Sequence, residues 1–315
     1  EIGVRLVGSE MCIRDSSITE PLLNDLAVAL KHKGYEVSAS GKGLTEDAIS
    51  LLKKEGCTCY GDGWYPERLT KDIQFVVLGA TVKQDNIELV RAKELGLLVL
   101  SIPEFIFQRT KAKTRVVIAG SKGKKSIISM IAYTLKRQKL AFDFALTSKI
   151  PLLQNRVNLS YEARIAIIEG DEHITSPLEK RFQLEFYRPH IAVLTNLEWT
   201  PKSDHVTPEA YYNTYHNFVT SIEREGKLIY FSGDPVVEQL AGKVREDITA
   251  IAYGEHEIIE LDGKTYLKTR YGNFPVNIPN PYFLTNLNAA RLVCRLLGIK
   301  DSDFYQALSE YSISL

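Results

Sequence analysis

The chain has little cysteine, no excess of charge of either sign and no long apolar run. Lysine plus arginine and aspartate plus glutamate number 39 each among 315 residues. No overall field therefore attracts nucleic acid or an anionic membrane, although a local basic site remains open. No stretch reaches the ~20 apolar residues that a membrane-spanning helix needs. These absences predict a globular protein with no nucleic-acid or membrane partner.

The four cysteines are Cys12, Cys57, Cys59 and Cys294. Their spacing lacks the two paired motifs of a structural zinc site, so we expect no metal on them. Cys57 and Cys59 are separated by one residue on a predicted strand, so their side chains should point to the same face. We expect reduced, structural cysteines and a cytoplasmic location.

The first 16 residues, EIGVRLVGSEMCIRDS, begin without Met and contain no apolar core segment, so they do not form a signal peptide. The string VGSEMCIRDS resembles a translated sequencing-adapter fragment. We therefore expect that residues 1–16 have replaced the natural start of the first domain. Val7-Gly8-Ser9 accordingly carries little weight as a glycine turn.

Strand-like and helix-like segments alternate through the first hundred residues, which predicts an α/β protein with a Rossmann-like parallel sheet at residues 1–110. The continuously apolar segment Phe75–Gly79 is typical of a buried parallel strand. The predicted helices are Leu22–Lys33, Thr45–Glu55 and Asn86–Leu95. The polar run Gln108–Arg115 lacks apolar periodicity, and we interpret it as the interdomain linker.

The second domain is predicted at residues 111–315, with a mainly parallel sheet of the phosphate-loop ATPase type. Its expected strands include Lys227–Phe231 and Ala250–Tyr253. A small antiparallel hairpin is expected from Glu260–Thr269 and Tyr271–Ile278, with its turn at Tyr271-Gly272.

The segment Gly120–Ser126 (GSKGKKS) follows the apolar strand Val116–Ala119 and begins the predicted helix Lys124–Gln138. Such a junction directs backbone N–H groups and the positive end of a helix dipole at one point, where a phosphate can bind. Lys124 has the place of the lysine that reaches the β- and γ-phosphates. The spacing departs from G-x4-G-K-[ST], so a glycine turn with solvated lysines is the alternative.

Lys125 stands where a hydroxyl group normally ligates Mg²⁺. An ammonium group cannot ligate a cation and repels it. Ser126 offers a hydroxyl one residue later, but one position rotates it by about 100° around the helix. We therefore expect Mg²⁺ binding to be weakened or supplied differently.

Several longer segments resemble one family. The most specific is Glu169–Trp199, which is similar to the patterns E-[GA]-D-E-Y, D-x-R-x-K-F-x-x-Y-x-P and N-x-E. Gly79–Gly96, Thr114–Ser126 and Asn280–Gly298 add further similarity. Together they resemble the Mur ligases over about Asp25–Leu315, and most of all the branch that reattaches recycled murein tripeptide to UDP-N-acetylmuramate.

The resemblance implies ATP-driven amide formation in peptidoglycan recycling or synthesis, with UDP-N-acetylmuramate and murein tripeptide as substrates and ATP and Mg²⁺ as cofactors. Lys124 would hold the γ-phosphate, and Glu169, with Ser126, would ligate Mg²⁺. The predicted nucleotide-binding residues are Gly120, Ser121, Lys122, Gly123, Lys124, Lys125, Ser126, Asn196 and Asn286. We interpret Asp171 and Glu172 as solvated or structural. Asn196 could equally form a turn.

The chain departs from the family pattern at three places, Lys125 being the first. Thr200-Pro201 stands where the family has Asp-His, and Asp204-His205 follows four residues later. Tyr282-Phe283 replaces His-Asn near the adenine, where an aromatic ring could stack on a base or pack in the core.

The family's C-terminal domain, which binds the amine substrate, is not found in the chain. We therefore expect these 315 residues not to complete the ligation alone. A non-catalytic module that binds a nucleotide or a UDP-sugar is the alternative. A Rossmann dehydrogenase is disfavoured, because no G-x-G-x-x-G motif follows a strand.

Overall fold

The computed structural model describes residues 10–14, 21–80, 82–176, 179–201 and 204–311. Its first sheet consists of β1 (Glu10–Arg14), β2 (Glu36–Gly41), β3 (Thr58–Asp62), β4 (Phe75–Leu78) and β5 (Leu98–Ser101). The strand order is β3-β2-β1-β4-β5, and all neighbours are parallel. This arrangement confirms the Rossmann-like prediction. The segment that resembles an adapter thus supplies the central strand, while Val7-Gly8-Ser9 lies outside the described residues.

The first sheet is accompanied by α1 (Pro21–His32), α2 (Glu46–Lys54), α3 (Ile87–Glu94) and α4 (Ile102–Thr110). Short polar side chains cap two of these helices. Thr45 accepts a hydrogen bond from the Ala48 backbone N–H, and Asn86 accepts from the N–H groups of Glu88 and Leu89. Cys57 and Cys59 are both buried, as expected for two side chains on the same face.

The predicted linker Gln108–Arg115 is wrong. Its first three residues form the last turn of α4, and its last two already belong to β6 (Thr114–Ala119). Arg115 is only 1% exposed, and its guanidinium donates to the carbonyl groups of Thr110, Lys111, Tyr187 and Arg188. A charged run is typical of solvated chain, and the local sequence does not show that two acceptors of Arg115 come from Tyr187 and Arg188. The division at residue 110 stays a prediction.

The second sheet contains seven strands in the order β14-β13-β12-β6-β9-β7-β8. Its strands after β6 are β7 (Phe142–Ala145), β8 (Val157–Asn158), β9 (Ile165–Glu169), β12 (Ile191–Leu194), β13 (Lys227–Phe231) and β14 (Thr249–Tyr253). Between β9 and β12 in the chain, β10 (Ile174–Ser176) and β11 (Glu179–Phe182) form a separate two-stranded sheet. Only β8 runs antiparallel in this sheet. The mainly parallel sheet confirms the predicted fold class.

Among the described residues, five α-helices accompany the second sheet, namely α5 (Lys124–Arg137), α6 (Pro208–Thr220), α7 (Pro235–Ala241), α8 (Phe283–Leu296) and α9 (Asp301–Ser309). Ile127 and Ile131 of α5 are fully buried in one apolar cluster with Leu287 of α8. This packing places the beginnings of α5 and α8 beside each other. Within the described residues, no helix has the length and apolar character needed to cross a membrane.

The predicted hairpin is a three-stranded antiparallel sheet of β15 (Ile258–Leu261), β16 (Lys264–Thr269) and β17 (Gly272–Pro275). The turn lies at Arg270-Tyr271, one residue before the predicted Tyr271-Gly272, because Gly272 already pairs with Thr269. The predicted strand Glu260–Thr269 is wrong, because the chain reverses at Asp262-Gly263. Both turn residues have positive φ, +49° and +72°, which an Asp-Gly pair tolerates well.

Candidate nucleotide-binding site

The segment Gly120–Gly123 connects β6 to α5 at the carboxyl edge of the second sheet. The strand before it, Val116–Ala119, is completely buried. The helix after it has 14 residues, and its N-cap residue, Gly123, has no side chain to cap the first turn. The backbone N–H groups of this turn are therefore available to an anion, as the sequence predicted for a phosphate loop.

Two positions in this loop require glycine. Gly120 has φ +119°, and a Cβ atom there would lie 2.1 Å from Thr195 Oγ1. Gly123 has φ +90°, and its Cβ atom would lie 2.5 Å from Asn286 Oδ1. Glycine thus permits both the left-handed conformation and the close approach of the neighbouring side chains.

Asn196, which lies just beyond β12, holds the loop in shape. Its carbonyl oxygen accepts a hydrogen bond from Ser121 N at 2.8 Å, and its Oδ1 accepts from Lys122 N at 3.2 Å. Ser121 Oγ lies 2.8 Å from the hydroxyl of Tyr211 and accepts from Glu198 N at 2.8 Å. The structure thus brings Asn196 to the loop through direct contacts.

The three loop lysines differ in their partners. Lys124 Nζ donates to the carbonyl oxygen of Gly120 at 2.6 Å and lies 3.9 Å from Glu172 Oε2. Lys122 Nζ pairs with Glu198 Oε2 at 2.5 Å, and this hydrogen-bonded pair raises the pKa of Lys122. Lys125 is exposed, and no carboxylate oxygen of the described residues lies within 4.0 Å of its Nζ, so it forms no ion pair with them.

The loop lies beside a cavity of about 740 Å³. Its lining includes every predicted nucleotide-binding residue except Gly120, whose carbonyl is bonded to Lys124 instead. Residues that are far apart in sequence, such as Lys124, Asn196 and Asn286, therefore meet at one site. Such a concave site at the carboxyl ends of parallel strands is where α/β proteins bind ligands.

Glu169 ends β9 and is only 3% exposed. One of its carboxylate oxygens accepts a hydrogen bond from Ser148 N at 3.0 Å, and the residue lines the cavity. Asp171 and Glu172, which we interpreted as solvated or structural, both also line the cavity. Glu172 accepts a hydrogen bond from Tyr215. A charged turn after a strand could have indicated this.

His173 also lines the cavity, and the sequence reasoning missed it. Its Nδ1 lies 3.0 Å from Asp204 Oδ2, and its Nε2 lies 3.5 Å from Asp171 Oδ1. Burial lowers the pKa of His173, but the two carboxylates outweigh this effect and leave the pKa above its ordinary value. His205 is 2% exposed, stacks on Phe182 and contacts Thr214, so it is a core residue.

The two aromatic residues that replace His-Asn have different environments. Phe283 is buried in the core, whereas Tyr282 is 65% exposed and lines the cavity.

Thr195 lines the same cavity and was not predicted. It is 4% exposed, and its Oγ1 has no hydrogen-bond partner among the described residues. A buried hydroxyl without a partner is rare and calls for an explanation.

The lining does not fit the phosphate-loop mode of Mg²⁺ binding. Glu169 and Ser126, the two predicted ligands, both line the cavity. However, Lys125 has the position of the usual hydroxyl ligand and brings a positive charge to it. The described part of the chain contains no group of three or more His, Cys, Asp or Glu arranged to hold a metal ion.

The fold and this site define a doubly wound α/β protein with a phosphate-loop-type junction. Residues 118–293 match the family model of the Mur ligase middle domain. This match covers more than half of the chain, and the chain belongs to the Mur ligase family.

Two curated relatives are UDP-N-acetylmuramate–L-alanine ligases. That of Carboxydothermus hydrogenoformans is 28% identical over 304 residues, which cover 92% of this chain and 63% of that protein. That of Streptomyces coelicolor is 24% identical, with the same two coverages. The chain thus spans less than two thirds of the length of these relatives.

Solved structures share the fold at low identity. The UDP-N-acetylmuramate:L-alanyl-γ-D-glutamyl-meso-diaminopimelate ligase of Neisseria meningitides has a TM-score of 0.80 and 21% identity, covering 98% of this chain and all of that one. The UDP-N-acetylmuramate–alanine ligase of Thermotoga maritima has a TM-score of 0.65 and 17% identity, covering 96% of this chain and 68% of that one.

Proposed function

We propose that this chain binds ATP in the cavity beside Gly120–Ser126 and is the nucleotide-binding part of an amide ligase that acts on UDP-N-acetylmuramate. The observation that carries the proposal is the position of the loop. It begins a helix at the carboxyl edge of a parallel sheet, and its N–H groups and Lys124 are directed to a cavity of suitable size. The first sheet would bind the UDP-sugar, by family resemblance.

In this proposal the triphosphate lies over the loop, and Lys124 changes its partner. Its Nζ is bonded to the Gly120 carbonyl and lies 3.9 Å from Glu172, and Lys124 and Glu172 both line the cavity. A substrate carboxylate would attack the γ-phosphorus and release ADP. The amine would then attack the acyl phosphate and release phosphate. The contribution of the protein is positioning and charge neutralisation.

The amine substrate has two candidates. The curated relatives are named for L-alanine, whereas the structure with a TM-score of 0.80 is named for a murein tripeptide. Both use UDP-N-acetylmuramate according to their names. We propose the tripeptide, in agreement with the similarity of Glu169–Trp199 to the recycling branch. L-alanine is the competing outcome.

Nucleotide binding tests the first part of the proposal. Calorimetry with ATP should show one site, and Lys124→Ala should weaken binding about tenfold to a hundredfold, because a hydrogen bond to a charged group contributes roughly 1.5–3 kcal/mol. Lys243→Ala is the matched control, since Lys243 is an exposed lysine outside the cavity lining. If the wild-type protein binds no ATP, or if both variants bind equally well, the proposal is wrong.

ADP formation tests the second part. UDP-N-acetylmuramate and ATP are supplied with either tripeptide or L-alanine, and ADP release is followed with a coupled assay. Turnover that requires one of the two amines identifies the substrate. ATP binding without ADP release in either mixture would instead support the alternative of a non-catalytic module, which Lys125 favours.

A further inference from the structure

We propose that Lys125 acts as a fixed cation of the cavity, so that the site binds a nucleoside triphosphate without a divalent metal ion. This inference rests on the proposed nucleotide binding and specifies the form of the ligand. It concerns a residue that departs from the family pattern at the place of a metal-binding hydroxyl.

The first argument is the pairing of the positive charges. Lys122 is bound to Glu198, and Lys124 is bonded to the Gly120 carbonyl and lies near Glu172. Lys125 lines the same cavity, is exposed and has no carboxylate partner within 4.0 Å among the described residues. An unpaired ammonium group at a helix N-terminus adds its charge to that of the helix dipole and attracts an anion.

The second argument is the orphan hydroxyl of Thr195. Its Oγ1 is buried beside Gly120 and has no hydrogen-bond partner among residues that the structure describes. Thr195 belongs to the lining of the cavity, so a ligand there can satisfy it. A phosphate oxygen accepts a hydrogen bond from such a hydroxyl, and it also accepts from the ammonium of Lys125 and from the free N–H groups of α5.

The third argument concerns the two predicted Mg²⁺ ligands, Ser126 and Glu169. Ser126 is displaced by about 100° around α5 from the position of the usual hydroxyl ligand. One oxygen of Glu169 is already engaged with Ser148 N at 3.0 Å. A dication beside Lys125 would be repelled, whereas a triphosphate is attracted by the same charge. The charge at position 125 therefore favours the metal-free anion.

Calorimetry on the complete chain tests this inference, with ATP as the probe in two buffers. One buffer contains EDTA, and the other contains MgCl₂ in excess over ATP. The wild-type protein should bind ATP in EDTA at least as tightly as in MgCl₂. Lys125→Thr should raise the dissociation constant in EDTA about tenfold, because it removes a charge-assisted hydrogen bond. In this variant, MgCl₂ should tighten the binding.

Two further variants make the test specific. Lys125→Met keeps the length of the side chain but has no charge and no hydroxyl, so it should lose affinity in EDTA and gain none from MgCl₂. Lys243→Thr removes the same charge outside the cavity and should bind like the wild type in both buffers. Circular dichroism of each variant verifies the fold.

The outcomes separate the inference from the proposed function. If the wild type binds ATP only with MgCl₂, nucleotide binding stands and the role of Lys125 is refuted. If Lys125→Thr binds as tightly as the wild type in EDTA, the role of Lys125 is likewise refuted. If the wild type binds ATP in neither buffer, the proposed function itself fails.

Discussion

The replacement Gly123→Ala tests whether the close approach of Asn286 to the loop matters for the ligand. Gly123 has φ +90°, and a Cβ atom there would lie 2.5 Å from Asn286 Oδ1. Gly298, just beyond α8, has φ +87° and nothing within 4 Å of its Cβ position. The two glycines therefore have a similar positive φ, and they differ in what lies beside the Cβ position.

The expected magnitudes follow from this difference. An alanine in the left-handed region costs roughly 1–2 kcal/mol, and Gly298→Ala should lower the free energy of unfolding by that amount alone. Gly123→Ala bears the same cost and must also move the side chain of Asn286, which is 8% exposed and closely packed. An off-rotamer side chain adds roughly 0.5–1.5 kcal/mol.

Urea denaturation measures the two free energies of unfolding, and calorimetry measures ATP affinity. Gly298→Ala should lose stability but bind ATP like the wild type. Gly123→Ala should lose at least as much stability and also bind ATP more weakly, because Asn286 and the first turn of α5 shift. If Gly123→Ala binds ATP with unchanged affinity, the contact between Asn286 and the loop has no role in binding.

Two other predictions concern Arg115 and His173. Arg115→Met leaves buried carbonyl groups and Glu223 without their donor, so it should lower the free energy of unfolding by about 3–5 kcal/mol. Arg188→Met is the control, because Arg188 is an exposed partner of the same Glu223, and it should cost less than about 1 kcal/mol. Equal losses in urea denaturation would contradict the buried role of Arg115. The raised pKa of His173 means that its protonation stabilises the fold below its ordinary pKa of 6.5, and this stabilisation is lost as pH rises through the folded-state pKa. His173→Gln should therefore reduce stability at about pH 5.5 more than at about pH 8.5, and an equal reduction at both would argue against the pair with Asp171 and Asp204.

Elements with a local signal were predictable. The strand Lys227–Phe231 was predicted with the observed bounds, because a short apolar run is bounded by polar residues. The helix predicted from Thr45 begins at that residue, which caps it, and such a cap depends on the local sequence alone. The linker was mispredicted because the acceptors of Arg115 lie 72 and 73 residues away, where local periodicity gives no information.

The same distinction holds at the site. The loop itself was recognisable, since strand, glycine turn and helix are consecutive in the chain. His173 and Thr195 were missed, because their importance depends on neighbours brought together by the sheet. Thr195 is significant only because its hydroxyl lies buried beside Gly120 without a partner, which is a property of packing between β6 and β12.

The shape of the loop and its charge are separable in this protein. The loop is held by hydrogen bonds from Ser121 N and Lys122 N to Asn196 and from Lys124 Nζ to the Gly120 carbonyl. The side chain of Lys125 takes part in none of these hydrogen bonds. A change of the residue at this position therefore alters the charge presented to a ligand and leaves the backbone donors in place. The proposed binding of phosphate and the proposed loss of the Mg²⁺ ligand therefore concern separate features of the loop.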